Sequence, residues 1–184
     1  KVYVGSYEEF GFWKKTNEGE LIYESLSNLI SQTKIINEEF WQIRNFKNAI
    51  IFRSFSNIYI YKEGTIKKVK TPSTVISCDV VNDVLYVSTL SDGILVLNND
   101  ELVSSIKSDE LLNAKVISII AYKKNLLITT ALNGCFIYNG KNLMPFNSEI
   151  NTIIKKHQLN SHSKLKNGNM VFGTIQNGVY YTNA

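Results

Sequence analysis

The chain has 184 residues, 44% of them hydrophobic, with 20 Lys and Arg against 16 Asp and Glu for a formal net charge of +4. That composition is ordinary for a folded domain with a sizeable core, and no apolar run approaches the roughly 18 residues of a membrane span. The lysines are scattered at turns and strand ends (Lys67, Lys68 and Lys70; Lys123 and Lys124; Lys155 and Lys156), which argues against a nucleic-acid-binding face.

In chain order, Lys1-Val2-Tyr3-Val4-Gly5 already reads as the middle of a strand, so the chain is expected to be a piece of a longer protein. Val2–Tyr7 and Phe10–Trp13 form one apolar pair, closed by Leu21–Tyr23. Phe40–Arg44 starts a second unit, continued by Ile50–Phe55, Ile58–Tyr61 and Ile66–Val69. Val75–Val81, Val84–Val87, Ile94–Leu97 and Leu102-Val103 make a third. Val116–Tyr122, Leu126–Ile128, Phe136–Tyr138 and Leu143–Phe146 make a fourth. Ser161–Leu165, Met170–Phe172 and Val179–Tyr181 begin a fifth.

Three corners align within these units: Thr89-Leu90-Ser91-Asp92-Gly93, Thr130-Ala131-Leu132-Asn133-Gly134 and Thr174-Ile175-Gln176-Asn177-Gly178, with their glycines 41 and 44 residues apart. Such a period means a repeat architecture. Four short strands in about 40 residues, joined by Asn, Asp and Gly turns, argue all-β. The middle strands are apolar on both faces. A sheet with one solvated face would alternate, whereas sheets stacked on both sides would not. The expected fold is therefore a β-propeller of four-stranded blades, in preference to a β-sandwich, which leaves the period unexplained. Lettering strands A to D from the centre outwards, the sequence predicts B-C-D, three full blades and A-B-C, eighteen strands in all. The units are a partial blade at 1–25, blades at about 40–70, 75–105 and 116–147, and a partial blade at 160–184. That makes an arc of about four to five blades from a larger propeller, whose open ends would expose apolar faces. The long D-to-A connectors are 25–39, 106–114 and 147–160, the last with room for a helical turn.

The stretches Val4-Gly5-Ser6-Tyr7-Glu8-Glu9-Phe10-Gly11-Phe12-Trp13, Gly19 to Leu26, Phe40-Trp41-Gln42-Ile43 and Ile51 to Tyr61 resemble the sensor region of large Bacteroidetes regulators. Those proteins carry two-component-regulator propeller repeats, a triple-tyrosine domain, a membrane helix and a cytoplasmic LuxR-type or histidine-kinase output. The endings Leu85–Thr89 and Val171–Thr174 approximate the family's B strand, and Leu127–Thr130 departs further. The resemblance implies a periplasmic, inner-membrane-anchored sensor that perceives a nutrient such as an oligosaccharide and signals as a homodimer, with no catalysis, no cofactor and no nucleic-acid contact by this portion. A protein-interaction scaffold and a polysaccharide-active propeller enzyme are the alternatives. The Gly-His and Trp-Asp marks of the commonest scaffold repeat are absent.

Few residues are expected to carry chemistry. Glu8 and Glu9 are adjacent in a B–C corner, and neighbouring carboxylates point to opposite faces, which suits a rim contact rather than an acid–base pair. Trp41 and Arg44 are placed on an innermost strand near the central channel, where an aromatic stacks on a sugar and a guanidinium donates to hydroxyls or carboxylates. Asn57, Asp92, Asn133 and Asn177 offer hydrogen-bonding side chains on the loop rim, although turns favour them for backbone reasons. His157 and His162 fall in a polar connector without partners for a metal. Cys78 and Cys135 replace aliphatic residues of sister repeats and read as buried small hydrophobes on different units, with a disulfide the lesser possibility.

Overall fold

The structure, a computed structural model, describes residues 1–30 and 35–183. Part of the expected 25–39 connector therefore lies outside the described residues, as does the last residue of the expected 160–184 blade.

Five antiparallel sheets follow one another along the chain. Blade 1 is β1 (Val2–Gly5), β2 (Phe10–Lys15) and β3 (Leu21–Ser25). Blade 2 is β4 (Gln42–Phe46), β5 (Ala49–Arg53), β6 (Asn57–Lys62) and β7 (Thr65–Lys70). Blade 3 is β8 (Val75–Val81), β9 (Val84–Thr89), β10 (Ile94–Asn98) and β11 (Glu101–Ile106). Blade 4 is β12 (Val116–Tyr122), β13 (Asn125–Thr130), β14 (Cys135–Tyr138) and β15 (Leu143–Pro145). Blade 5 is β16 (Leu159–Lys164), β17 (Met170–Thr174) and β18 (Val179–Thr182). Each blade pairs in simple sequence order, and the A strands β4, β8, β12 and β16 are spatial neighbours. This is an all-β arc of propeller blades. The connector between blades 4 and 5 holds one helix, α1 (Ile150–His157).

Turn chemistry builds the hairpins. Glu63-Gly64, Asn82-Asp83 and Asn99-Asp100 have positive φ at both central residues, the backbone of two-residue turns whose twist matches that of the flanking strands.

The two-faced apolar strands are explained by four cores, each between consecutive blades. Phe10, Phe12 and Phe40 meet Phe52 and Tyr59. Ile51, Ile58 and Val69 meet Cys78, Leu85 and Val87. Ile94, Ile106 and Leu111 meet Val116, Ile119 and Phe136. Leu127 and Cys135 meet Leu159, Met170 and Phe172, with Ile150 and Ile154 of α1 closing the edge. Fully burying one such Phe or Leu stabilises by about 1.5–3 kcal/mol. Both cysteines are free and buried, and burial pushes each thiol up to about 12, so neither is a nucleophile at neutral pH.

Candidate functional site

The repeated corner is a hydroxyl-pinned turn. Thr130 Oγ1 donates to Gly134 O at 2.7 Å and accepts from Asn133 N at 2.9 Å. Thr89 does the same with Gly93 O and Asp92 N, and Thr174 with Gly178 O and Asn177 N. Ser54 plays this part in blade 2, donating to Asn57 O and accepting from Asn57 N. The next residue's carbonyl then ties blade to blade: Phe55 O accepts from Val75 N and Ala131 O from Leu159 N, each at 2.8 Å.

A second set of ties joins the inner parts of the blades. Gln42 Oε1 accepts from Cys78 N at 2.8 Å. Buried Arg53 donates to Val75 O at 3.3 Å and Ile76 O at 2.9 Å, and to Gln42 Oε1 at 3.3 Å. Its burial pushes the guanidinium down to about 10. Asp79 accepts from Arg44 Nη2 at 3.2 Å through one oxygen and from Ile119 N at 3.0 Å through the other, spanning three blades. Burial raises the Asp79 carboxyl, and the Ile119 N–H and the arginines oppose the rise. Ser118 Oγ and His162 Nδ1 are 2.7 Å apart.

On the rim of blade 2 the chain builds an open cleft of about 600 Å³, lined by Phe55, Ser56, Lys68, Lys70, Thr71 and Ser73 among others. Trp41 lies beside it, its ring 5.6 Å from that of Phe55; Trp41 is 59% and Phe55 44% exposed. Glu38 organises the residues behind the cleft. It is only 7% exposed, and its Oε1 accepts from Asn57 Nδ2 and from Tyr59 OH. Lys68 Nζ stands 3.6 Å from the same oxygen. Burial first, then the Glu38 charge, pushes the Tyr59 hydroxyl up.

The residues expected from sequence do not gather in one place. Glu8 and Glu9 occupy the B–C corner of blade 1 and their carboxylates diverge. Glu8 Oε1 accepts from Asn37 N, whereas Glu9 accepts from Tyr23 OH, Ser25 Oγ and Ser27 Oγ. Glu9 is thereby committed to holding β3 and the turn after it. Trp41 is corrected from the innermost strand to the rim: it precedes β4, and its N–H bonds Arg53 O, which sets its ring against the Phe55 corner. Arg44 is on innermost β4 as expected, with Asp79 as partner. Asn57 opens β6 and is almost buried, its amide given to Glu38. Asp92, Asn133 and Asn177 occupy successive corners, one per blade, and Asn177 Nδ2 also bonds Tyr180 OH. His157 ends α1, near Asn177. His162 lies on β16, within the expected Ser161–Leu165 strand rather than in a connector, and stacks on Phe172 with centroids 4.4 Å apart. Its position matches Ile43, Cys78 and Ile119 of the other A strands. Sequence reasoning passed over Glu38, Gln42, Arg53, Asp79 and Ser118. Among the described residues no cluster of three or more His, Cys, Asp or Glu side chains is arranged to hold a metal, and no helix is long and apolar enough to cross a membrane.

No family model and no curated protein matches the sequence. Solved structures do. The extracellular domain assigned to hybrid two-component system BT3049 of B. thetaiotaomicron superposes with a TM-score of 0.65 at 17% identity, over 99% of this chain and 25% of that one. The corresponding domain of BT4673 from the same organism gives 0.65 at 16% identity, over 100% and 26%. BamB from Moraxella catarrhalis gives 0.60 at 12% identity, over 96% and 52%. The chain thus spans about a quarter of the length of the first two. At these identities the likeness is one of fold, and it places the chain among arcs of propeller blades.

Proposed function

We propose that this chain is part of an extracytoplasmic ligand-binding sensor, the propeller region of a membrane-anchored regulator that perceives a nutrient such as a glycan fragment. The observation that carries the reading is the likeness of the whole arc to extracellular domains of two hybrid two-component systems. The N-terminal resemblance to Bacteroidetes regulators points the same way. In this reading the protein is a periplasmic homodimer with further blades and a triple-tyrosine domain, and ligand binding biases the dimer across the membrane. This reading assigns no catalysis to this portion: its adjacent Glu8 and Glu9 carboxylates are turned to different partners, whereas glycoside cleavage needs two carboxylates facing one bond. Binding would occur on the corner rim, where the exposed aromatics Tyr7, Trp41 and Phe55 stand.

The test is a thermal-shift screen of the whole extracytoplasmic region against oligosaccharides, followed by chromatography of the incubated sugars. A rise in Tm with concentration of one glycan class, and that glycan recovered intact, is the expected result. Shortened products would overturn the sensor reading in favour of an enzyme, and no shift with any glycan would overturn the saccharide ligand.

A further inference from the structure

We propose that the blade 2 cleft is a subsite for an anionic sugar residue, the carboxylate- or sulfate-bearing unit of an acidic oligosaccharide. This deepens the sensor reading and rests on it. Strand β7 reads Thr65-Ile66-Lys67-Lys68-Val69-Lys70. A strand sends successive side chains to opposite faces. Val69 is buried against blade 3, and Lys67, on its side, pairs with Asp100 of that blade at 3.4 Å. Lys68 and Lys70 therefore share the other face, roughly 7 Å apart along the strand, in register with Tyr59 and Asn57 of β6.

The two lysines differ in what holds them. Lys68 is fixed, with Nζ 3.6 Å from Glu38 Oε1 and 5.4 Å from the Tyr59 ring centroid. Lys70 makes no ion pair among the described residues and lines the cleft with Lys68, where no carboxylate joins them. The cleft therefore holds one fixed and one uncompensated cation. A long flexible ammonium is a strong donor to a carboxylate or sulfate oxygen. Glu38 itself lies buried behind the cleft, so its charge offsets that of Lys68 and leaves Lys70 as the cation free to meet an anion.

Across the cleft, exposed Phe55 and Trp41 present the apolar surface on which the C–H face of a pyranose packs. The volume, about 600 Å³, lies within the range of ligand-sized pockets. Glu8 and Glu39 beside Tyr7 make the neighbouring rim acidic, which disfavours a continuous polyanion such as nucleic acid and favours a sugar chain with one charge at this place. Charge and apolar shelf together define the class.

The experiment is calorimetric titration of the intact extracytoplasmic region with three probes of matched length: oligogalacturonides, chondroitin sulfate oligosaccharides and neutral galacto-oligosaccharides. Acidic probes are expected to bind at least tenfold more tightly than the neutral one, with affinity falling as salt rises. Lys70→Met should weaken the acidic probe about tenfold, Lys70→Arg should restore most of it, and Phe55→Ala should weaken it without removing the salt dependence. Binding of oligogalacturonide alone assigns the site to carboxylate, and binding of the sulfated probe alone assigns it to sulfate; either supports the proposal. Neutral probes binding as well as acidic ones, with Lys70→Met unchanged, would overturn this subsite while leaving the sensor reading intact. Binding by none of the probes, in a protein that also fails the broader glycan screen, would overturn both. Lys70 is exposed, so loss of folding does not confuse the outcome, and unchanged melting of each variant checks this.

Discussion

Ser118 Oγ and His162 Nδ1 lie 2.7 Å apart, so a hydrogen bond crosses from the inner strand of blade 4 to that of blade 5. The imidazole also stacks on Phe172, and burial pushes it down from its ordinary 6.5 to about 4. A histidine lowered in this way is held neutral by folding. Its contribution is fully present above pH 6.5 and is lost as pH falls from 6.5 towards 4. By linkage the loss is about 3 kcal/mol over that window. His162→Ile, the residue found at the matching place in blades 2 and 4, removes the titration. Urea unfolding at a series of pH values should show the parent losing stability below pH 6.5 more steeply than the variant. Parallel pH curves would show that the histidine is not buried neutral.

Arg53 ties blade 2 to blade 3 through its side chain. Its guanidinium reaches two consecutive carbonyls of the neighbouring inner strand, Val75 O and Ile76 O. Even pushed down to about 10 it is charged at neutral pH. Arg53→Met fills similar volume but leaves both carbonyls without their donor, and an unmet buried polar group costs about 1–3 kcal/mol. The expected loss is about 3 kcal/mol in the urea midpoint analysis. Arg53→Lys should recover less than half, because one ammonium does not reproduce the planar fork. Full recovery by Lys would mean that charge, not geometry, is what the site needs.

The corner threonines carry a graded expectation. Thr130 is fully buried, whereas Thr174 makes the same bonds in an exposed corner. Thr130→Val keeps the shape and loses both hydrogen bonds, so a cost of about 2 kcal/mol follows, with Thr130→Ser below about 1. Thr174→Val should cost less than half as much as Thr130→Val, since water replaces the lost partners. Differential scanning calorimetry of the three variants reads the order directly; equal costs for Thr130→Val and Thr174→Val would contradict it.

The corners and blade cores were legible because they are local and periodic. Thr130 to Gly134 is five residues long, and the apolar runs on either side repeat with it. The interblade ties were not legible, because each joins residues one blade apart: Gln42 to Cys78, Asp79 to Ile119, Ser118 to His162. No window of one blade contains both partners. Aligning only the A strands would have exposed them, since Gln42, Ser77, Ser118 and Ser161 fall in one column and Ile43, Cys78, Ile119 and His162 in the next. A polar side chain in such a column must answer to the adjacent blade. Trp41 was misplaced for a smaller reason: β4 starts one residue after it, and one residue decides between channel and rim. Glu38 gave no signal at all, because it sits in a connector and its partners lie 19 to 30 residues downstream.

Glu38 supports a last prediction, because three groups depend on one of its oxygens. Asn57 and Tyr59 donate to Oε1 and Lys68 stands 3.6 Å away, all against an interior that includes fully buried Tyr59. Glu38→Gln keeps an acceptor of the same shape and should cost about 1 kcal/mol. Glu38→Ala leaves the Tyr59 hydroxyl and the Asn57 amide without their acceptor and should cost about 3 kcal/mol. Tyr59→Phe removes one of those stranded donors, so made on top of Glu38→Ala it should cost little or restore stability. The double-mutant cycle is therefore expected to show a coupling of about 1–2 kcal/mol, in the range for residues within one hydrogen-bonded network. Simple addition of the two single costs would mean that Tyr59 finds another acceptor, and that Glu38 holds the lysine side of the cleft rather than the tyrosine beneath it.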